Sequence, residues 1–366
     1  MIIGRILGTY FARRFFSAVA MIFLSCVSLI MLVDFLEMSR RTADREAVST
    51  GMVALLTLYR APAFTEQLLP FAVLFGGIFS FVMLSRRLEL VVARAVGLSA
   101  WQFTFPAIFV SFLIGVFATT VFNPVSADFK ERANRMEGEI FASAPAGSLL
   151  GTTKGAFWIR QQSVDGQTII KALATQRGGR ELINVTVFEF DKRDQLVERV
   201  EAKTASLEYG YWQLNEARVV IPGFEQQHFD TFLIATNLEP AQIQESLLSA
   251  ETVSFWQLPE AIKNAEQAGF GAARYRLQLQ SLLARPFLLV AMVLIAAAVG
   301  LRVFRFGGVG QTILGGVMAG FLLYLGTKLA EDLGEAGVVH PIAAAWFPAV
   351  AGIFLGVLVL LHREDG

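Results

Sequence analysis

Six runs of mostly apolar residues, each about the length a helix needs to cross a hydrocarbon core, govern what this chain can become. They cover 15–36, 63–84, 103–122, 282–301, 312–330 and 342–361. Hydrophobic residues make up 54% of the 366 and charged residues only 17%, where a soluble domain carries about 25% charged residues. A chain so poor in charge cannot wrap a polar surface around all of itself, so much of its mass belongs in a bilayer. Between the third and fourth runs lies a polar stretch of roughly 150 residues, too long for a loop and sized as a domain. The plan is an α-helical membrane protein with three helices, an inserted domain and three helices. Its parts are an N-terminal membrane half (1–122), an inserted domain with flanking helices (123–280) and a C-terminal membrane half (281–366).

Arg5, Arg13 and Arg14 precede the first run, as in a signal peptide. That run is longer than an ordinary signal-peptide core and ends in Asp34, Phe35, Leu36 and Glu37 rather than in small residues, so it reads as a retained helix. Upstream, Ile2, Ile3, Ile6, Leu7, Tyr10 and Phe11 fall at helical spacing. A short helix lying in the interface and a continuation of the first span both fit them.

Orientation follows from arginines in short loops. With the N-terminus inside, the inner segments hold Arg5, Arg13, Arg14, Arg86, Arg87, Arg94, Arg302, Arg305 and Arg363, and the short outer loops hold Arg40, Arg41, Arg45 and Arg60. The excess places both termini in the cytoplasm and the large domain outside, which is the periplasm of a Gram-negative cell.

The inserted domain begins with a charged helical pattern over 126–142 that extends the third span. Strand-like runs follow at 156–161, 168–174, 183–187, 197–209, 211–221 and 226–236, with Asp165-Gly166 as a hairpin turn. Short strands without intervening helices give a sandwich, a jellyroll or a curved sheet. Pro259 and Glu260 then open a helix that Gly269 closes.

Several chemistries are excluded. Lys+Arg and Asp+Glu are 31 each, which gives no bulk charge for nucleic acid. Cys26 stands alone, so there is no disulfide framework, CxxC pair or cysteine zinc site. Three histidines, His228, His340 and His362, make a multi-histidine metal site improbable, and no convergent catalytic set accompanies them. No GxxxxGK[ST] occurs; the glycine-rich 307–312 lacks its lysine and follows no strand. Energised work therefore needs a partner.

Residues 85–99 are the most informative inner segment. Leu88, Val91, Val92 and Ala95 share one helical face, while Arg86, Arg87, Glu89 and Arg94 project elsewhere. Gly97 suits a helix C′ position, and Ser99 with Gln102 forms a capping box for the third span. Such a short charged helix is either an interfacial connector or a coupling helix that docks on a motor subunit, with Glu89 fixing register against a partner cation. Near the outer boundary, Asp34, Arg40, Arg41 and Arg45, with Arg132 and Arg135 beyond the third span, are candidates to line a cavity for phosphate-bearing lipid; interfacial snorkelling is the plainer account. Glu66 and Lys328 fall inside spans, where charge is costly and faces a cavity or another charge.

Residues 84–99, Leu-Ser-Arg-Arg-Leu-Glu-Leu-Val-Val-Ala-Arg-Ala-Val-Gly-Leu-Ser, resemble the cytoplasmic E-L-x-V-x-x-A-x-G-x-S stretch of the LptF/LptG family, the permease subunits of the lipopolysaccharide exporter. Ala273-Arg274-Tyr275-Arg276-Leu277 and the 340–348 stretch beginning His340-Pro341 resemble the LptG branch more than the LptF branch. The resemblance implies a bacterial inner-membrane permease with a periplasmic β-jellyroll domain. It further implies pairing with a homologous LptF permease, docking of an LptB ATPase dimer on the coupling helices, and a periplasmic bridge through LptC. Lipopolysaccharide would enter between the two permeases, among membrane lipids, through gates at helices one and five. The chain itself would carry no cofactor; ATP and Mg belong to the ATPase. By position, Glu89 matches the coupling-helix glutamate, and Arg40 and Arg41 match a basic cluster loosely. Met31, Glu37 and Met38 stand where some relatives carry lysines. The LptF paralogue and a self-contained ion or solute carrier are the alternatives; a carrier would show inverted repeats, and the two halves share none beyond helix number.

Overall fold

The computed structural model describes residues 2–43, 48–89, 92, 95, 97, 99–142, 157–163, 166–176, 181–191, 195–221, 226–236, 250–267, 272–300 and 309–364. The chain divides into two compact units: Met1–Glu137 with Thr252–Pro259 and Ala273–Gly366, and Gly138–Glu251 with Glu260–Ala272. In chain order the helices are α1 (Ile2–Thr42), α2 (Thr50–Arg86), α3 (Ala100–Phe117), a π turn (Ala118–Phe122), α4 (Asn123–Ala142), α5 (Leu258–Gln267), α6 (Ala273–Gly300), α7 (Val309–Glu335) and α8 (Pro341–Glu364). Strands β1 (Phe157–Ser163), β2 (Gly166–Gln176), β3 (Glu181–Asp191), β4 (Leu196–Glu208), β5 (Tyr211–Val220) and β6 (Gln227–Ala235) lie between α4 and α5.

Among the described residues six helical stretches are long and apolar enough to cross a membrane, at the six places the sequence marks. The N-terminal residues do not form a separate interfacial helix. They continue the first span, and α1 is one helix of 41 residues, about 60 Å at 1.5 Å per residue. The third span likewise runs on through the π turn into α4.

In the membrane unit, α2 and α6 form the centre. In the most apolar stretch of α6, 72% of residues are buried, and in that of α2, 67%. Val73, Leu74, Leu289, Met292, Val293, Ala296 and Ala297 are sealed between them, with Phe15, Phe81 and Phe103 around the rim. Two glycines make this density possible. A Cβ on Gly76 would stand 2.6 Å from the Cα of Val19 on α1, and one on Gly115 would stand 2.5 Å from the Cα of Pro286 on α6. By contrast only 11% of the apolar stretch of α1 and 17% of that of α7 are buried. Leu24, Leu29, Leu32 and Leu36 on α1, and Leu314, Phe321, Leu322 and Leu329 on α7, are exposed. Apolar surface on this scale is what lipid or a partner helix covers.

The second unit carries one six-stranded antiparallel sheet in sequential order β1 to β6, consistent with a jellyroll-like domain. Ile170, Val187, Val200, Trp212 and Leu214 form the core of one face. The pleat is not unbroken. Asn184 and Glu216 have φ of 50° and 52°, and both are skipped in the pairing register. Pairing resumes beyond each in the same register, so neither inserts a residue; the left-handed backbone breaks the alternation of sides, and the inward face changes phase there. This corrects the reading of β3: Leu182 is buried with Val185 and Val187, while Ile183 is only half-buried. Glu189 and Glu198 face each other across β3 and β4 beside a register shift. Burial, then the neighbouring Glu198 carboxylate, raises Glu189 above the ordinary carboxylate range, and burial raises Glu198.

Candidate functional site

Polar ties occur at three levels of the helix bundle. The first is at the Arg86 end. The α2 helix stops where Leu88 turns into the left-handed region, φ 61°; Glu89, Val92 and Ala95 are helical again. Val92 N–H donates to the Leu88 carbonyl at 3.0 Å. Gly97 has φ 87°, as a chain reversal between helices requires. The capping box is present: Ser99 N–H donates to Gln102 Oε1 at 3.1 Å, and Gln102 N–H donates to Ser99 Oγ at 3.4 Å. Arg86 and Arg87 are exposed, Glu89 is half-buried, and Arg94 lies outside the described residues. Glu89 is held from α1: Tyr10 OH donates to Glu89 Oε2 at 2.9 Å. Arg14 Nε in turn donates to the Tyr10 oxygen at 3.1 Å, with its guanidinium 5.5 Å from the Tyr10 ring centre.

The second level is about 30 Å from Arg86, since Glu66 lies twenty residues up α2. Glu66 Oε1 accepts from Arg285 on α6 and, at 3.0 Å, from Asn123 Nδ2 at the end of the π turn. Asn123 Oδ1 accepts from Phe255 N–H at 2.9 Å, and Trp256 Nε1 donates to the Thr120 carbonyl at 2.9 Å. The π turn permits this last bond. Its i→i+5 pairing leaves a carbonyl without its usual helical donor. Thr119 Oγ1 donates to the Leu282 carbonyl at 2.9 Å. One loop segment and three helices therefore meet at one half-buried carboxylate. The same ion pair lines a cavity of about 80 Å³ with Ser281, Tyr324 and Lys328, and Lys328 donates to Glu331 at 2.8 Å.

The third level lies between the far ends of α1 and α2. Arg60 is 3.5 Å from Asp34, and one atom of each, Nη1 and Oδ2, is buried without a hydrogen-bond partner. Arg41 pairs one turn back with Glu37 at 2.8 Å, and Arg132 with Asp128 at 2.9 Å; Arg135 pairs with Glu131. Arg40 is exposed, and Arg45 lies outside the described residues. Among the described lipid-cavity candidates, Asp34 alone has an ion pair to another helix, and its partner is Arg60. Among the described residues no group of three or more His, Cys, Asp or Glu is placed to hold a metal ion.

A family profile described as lipopolysaccharide export system permease LptF/LptG matches residues 9–362. The chain belongs to the LptF/LptG family. Two curated relatives, the lipopolysaccharide export system permease proteins LptG of Escherichia coli strain K12 and of Escherichia coli O6:H1, are each 25% identical over 375 aligned residues. Each alignment covers 98% of this chain and 99% of the relative.

In this LptF/LptG permease the helix plan, the sheet domain and the Ser99 capping box are legible from spacing and composition. Tyr10, Arg285 and Asn123 were not singled out. Tyr10 reads as one more apolar position on a helical face, and its partner is 79 residues away. Arg285 is separated from Glu66 by 219 residues. A basic residue directly before Pro286, inside an apolar run, was the available signal for the partner of Glu66.

Proposed function

We propose that this chain is the LptG-type permease subunit of the ABC transporter that extracts lipopolysaccharide from the bacterial inner membrane. It pairs with an LptF-type permease, takes its energy from an LptB ATPase dimer, and hands the lipid to a periplasmic bridge through LptC. The observation that carries the reading is similarity to LptG of Escherichia coli along almost the whole of both chains. The 85–99 segment supplies the docking chemistry. Glu89 has one oxygen held by Tyr10, and a carboxylate has a second oxygen to offer a cation of the ATPase. Arg86 and Arg87 are exposed beside it. ATP and Mg bind in that partner, and this chain contributes no catalytic group. Both termini face the cytoplasm and the sheet domain faces the periplasm, in keeping with the arginine distribution.

Native mass spectrometry of the gently solubilised complex from the native host tests the assignment. The expected species holds one copy of this chain, one homologous permease, two ATPase subunits and bound glycolipid. A homodimer or a lone chain without ATPase overturns it. Glu89→Lys is expected to abolish copurification of the ATPase, because it sets a cation against the partner's cation; wild-type copurification refutes the docking role of Glu89.

A further inference from the structure

The central helix α6 comes to the surface along one strip. Among its described residues only Arg274, Arg276, Leu283 and Phe287 are exposed, and Arg274 is engaged by Glu335 at 3.0 Å. Arg276, Gln280, Leu283 and Phe287 follow one another at helical spacing and share one face. The strip has walls. The Phe287 ring lies between Phe112 of α3, edge-on at 5.6 Å, and Trp346 of α8 at 5.2 Å. It is also closed at its inner end. Deeper on the same face Leu294 is only 2% exposed, because α8 closes on α6 there. A Cβ on Gly352 would stand 2.9 Å from the Cβ of Ala291, and one on Gly356 would stand 2.6 Å from the Cβ of Leu294. From Arg276 to Phe287 the strip is about 16 Å long at 1.5 Å per residue, and half of a hydrocarbon core is about 15 Å. The strip is thus a slot open over one leaflet and blind near the middle of the bilayer.

We propose that this slot binds one resident glycerophospholipid, from the leaflet at the Ala273 end of α6. Its chemistry changes with depth in the order that such a lipid requires. Arg276 stands at headgroup height, and its planar fork of N–H donors suits two oxygens of a phosphate. Gln280 lies one turn deeper, about 6 Å, at the height of the ester groups. Its Oε1 accepts from Trp346 Nε1 at 2.9 Å, and its amide nitrogen carries two donors suited to an ester carbonyl. Leu283 and Phe287 then offer apolar surface to an acyl chain, and the slot ends where a chain of one leaflet ends. A partner's spanning helix fits less well, because it would run on across the inner half, where α8 already covers this face of α6. The slot is built by α3, α6 and α8, not by α1 or α7, the helices of the expected gate, so its occupant is distinct from the transported lipid. Only the naming of the leaflet as the periplasmic one rests on the orientation proposed above.

The test places a photoreactive benzophenone side chain at Leu283 and, separately, at Phe354, which is 71% exposed on α8, in the complete permease complex purified in detergent. Each complex is irradiated with rising amounts of phosphatidylglycerol, and the adducts are identified by mass spectrometry. Arg276, Leu283 and Phe354 are all exposed, so these replacements leave the packed core intact. The adduct at Leu283 is expected to be the phospholipid and to saturate, while the adduct at Phe354 rises in proportion to the lipid added. Arg276→Gln should need about tenfold more phosphatidylglycerol for half-saturation at Leu283, the effect of losing one hydrogen bond to a charged group. Arg276→Lys, which keeps the charge without the fork, should recover part of that loss. A Leu283 adduct that does not saturate, or that is indifferent to Arg276→Gln, overturns the inference and makes the occupant ordinary boundary lipid. An adduct with a protein makes the slot a helix-docking surface, and an adduct with lipopolysaccharide alone puts it on the path of the transported lipid; either result also overturns the inference. None of these outcomes depends on the ATPase, so the proposed function stands or falls separately, on the composition of the wild-type complex.

Discussion

At the scale of single residues, the Glu66–Arg285 pair is the most consequential contact in the membrane unit. Its side chains are only 12% and 20% exposed, and Asn123 and Ser126 add hydrogen bonds to the carboxylate. Removing one partner strands the other charge. Arg285→Ala is expected to lower stability by about 3 kcal/mol, read as a fall in the melting temperature of the purified protein. Replacing Glu66 and Arg285 together with leucine should cost less than Arg285→Ala alone, because no charge is then left unpaired. The Glu189–Glu198 pair predicts the opposite kind of effect. Both carboxyls bind protons more tightly in the folded sheet than their ordinary value of 4.5. Their favourable contribution is complete below that value and is lost as pH rises through their raised values. Amide protection in β3 and β4, corrected for intrinsic exchange, should therefore be higher at mildly acidic than at neutral pH, and Glu198→Gln should reduce that difference. Neither pair was legible as a pair. Glu66 was marked by its cost in an apolar run, but which cation answers it depends on how helices pack, and one chain's spacing does not encode that.

At the scale of elements, the sequence marked all six spans, the strands and the Ser99 capping box, because each leaves a local periodic or punctuating signal. It left the character of α1 open. The apolar positions from Ile2 to Phe11 fit either a separate helix or a longer one. The choice is made by Phe11 and Phe15 packing into the bundle core, a tertiary effect. The phase of β3 differs from simple alternation for a related reason: alternation assumes extended backbone at every residue, and the left-handed Asn184 interrupts it. The α1–α2 contact gives an element-level prediction. Gly76→Val drives a side chain into the Val19 backbone, and overpacking of this kind costs about 1–3 kcal/mol. Gly326→Val on α7 meets nothing within 4 Å and should leave the melting temperature unchanged.

At the scale of the molecule, charge asymmetry and the two compact units make a topological prediction. With Cys26 replaced by serine, a cysteine at Tyr209, which is 91% exposed on the β4–β5 turn, should react in intact cells with a maleimide able to pass the outer membrane but not the inner. A cysteine at the exposed Val92 should react only after the inner membrane is opened. The reverse pattern would invert the proposed orientation. The π turn between α3 and α4 has a consequence of another kind. It holds one residue more than a regular helical turn would, and through it Thr120 and Asn123 meet Trp256, Phe255 and Glu66. Deleting any one residue of Ala118–Phe122 would restore a regular helix, in phase beyond the deletion but with each carbonyl of the turn met by its own helical N–H. Trp256 Nε1 would then lose its acceptor. Relatives that keep this junction are thus free to vary in composition there, but not in length.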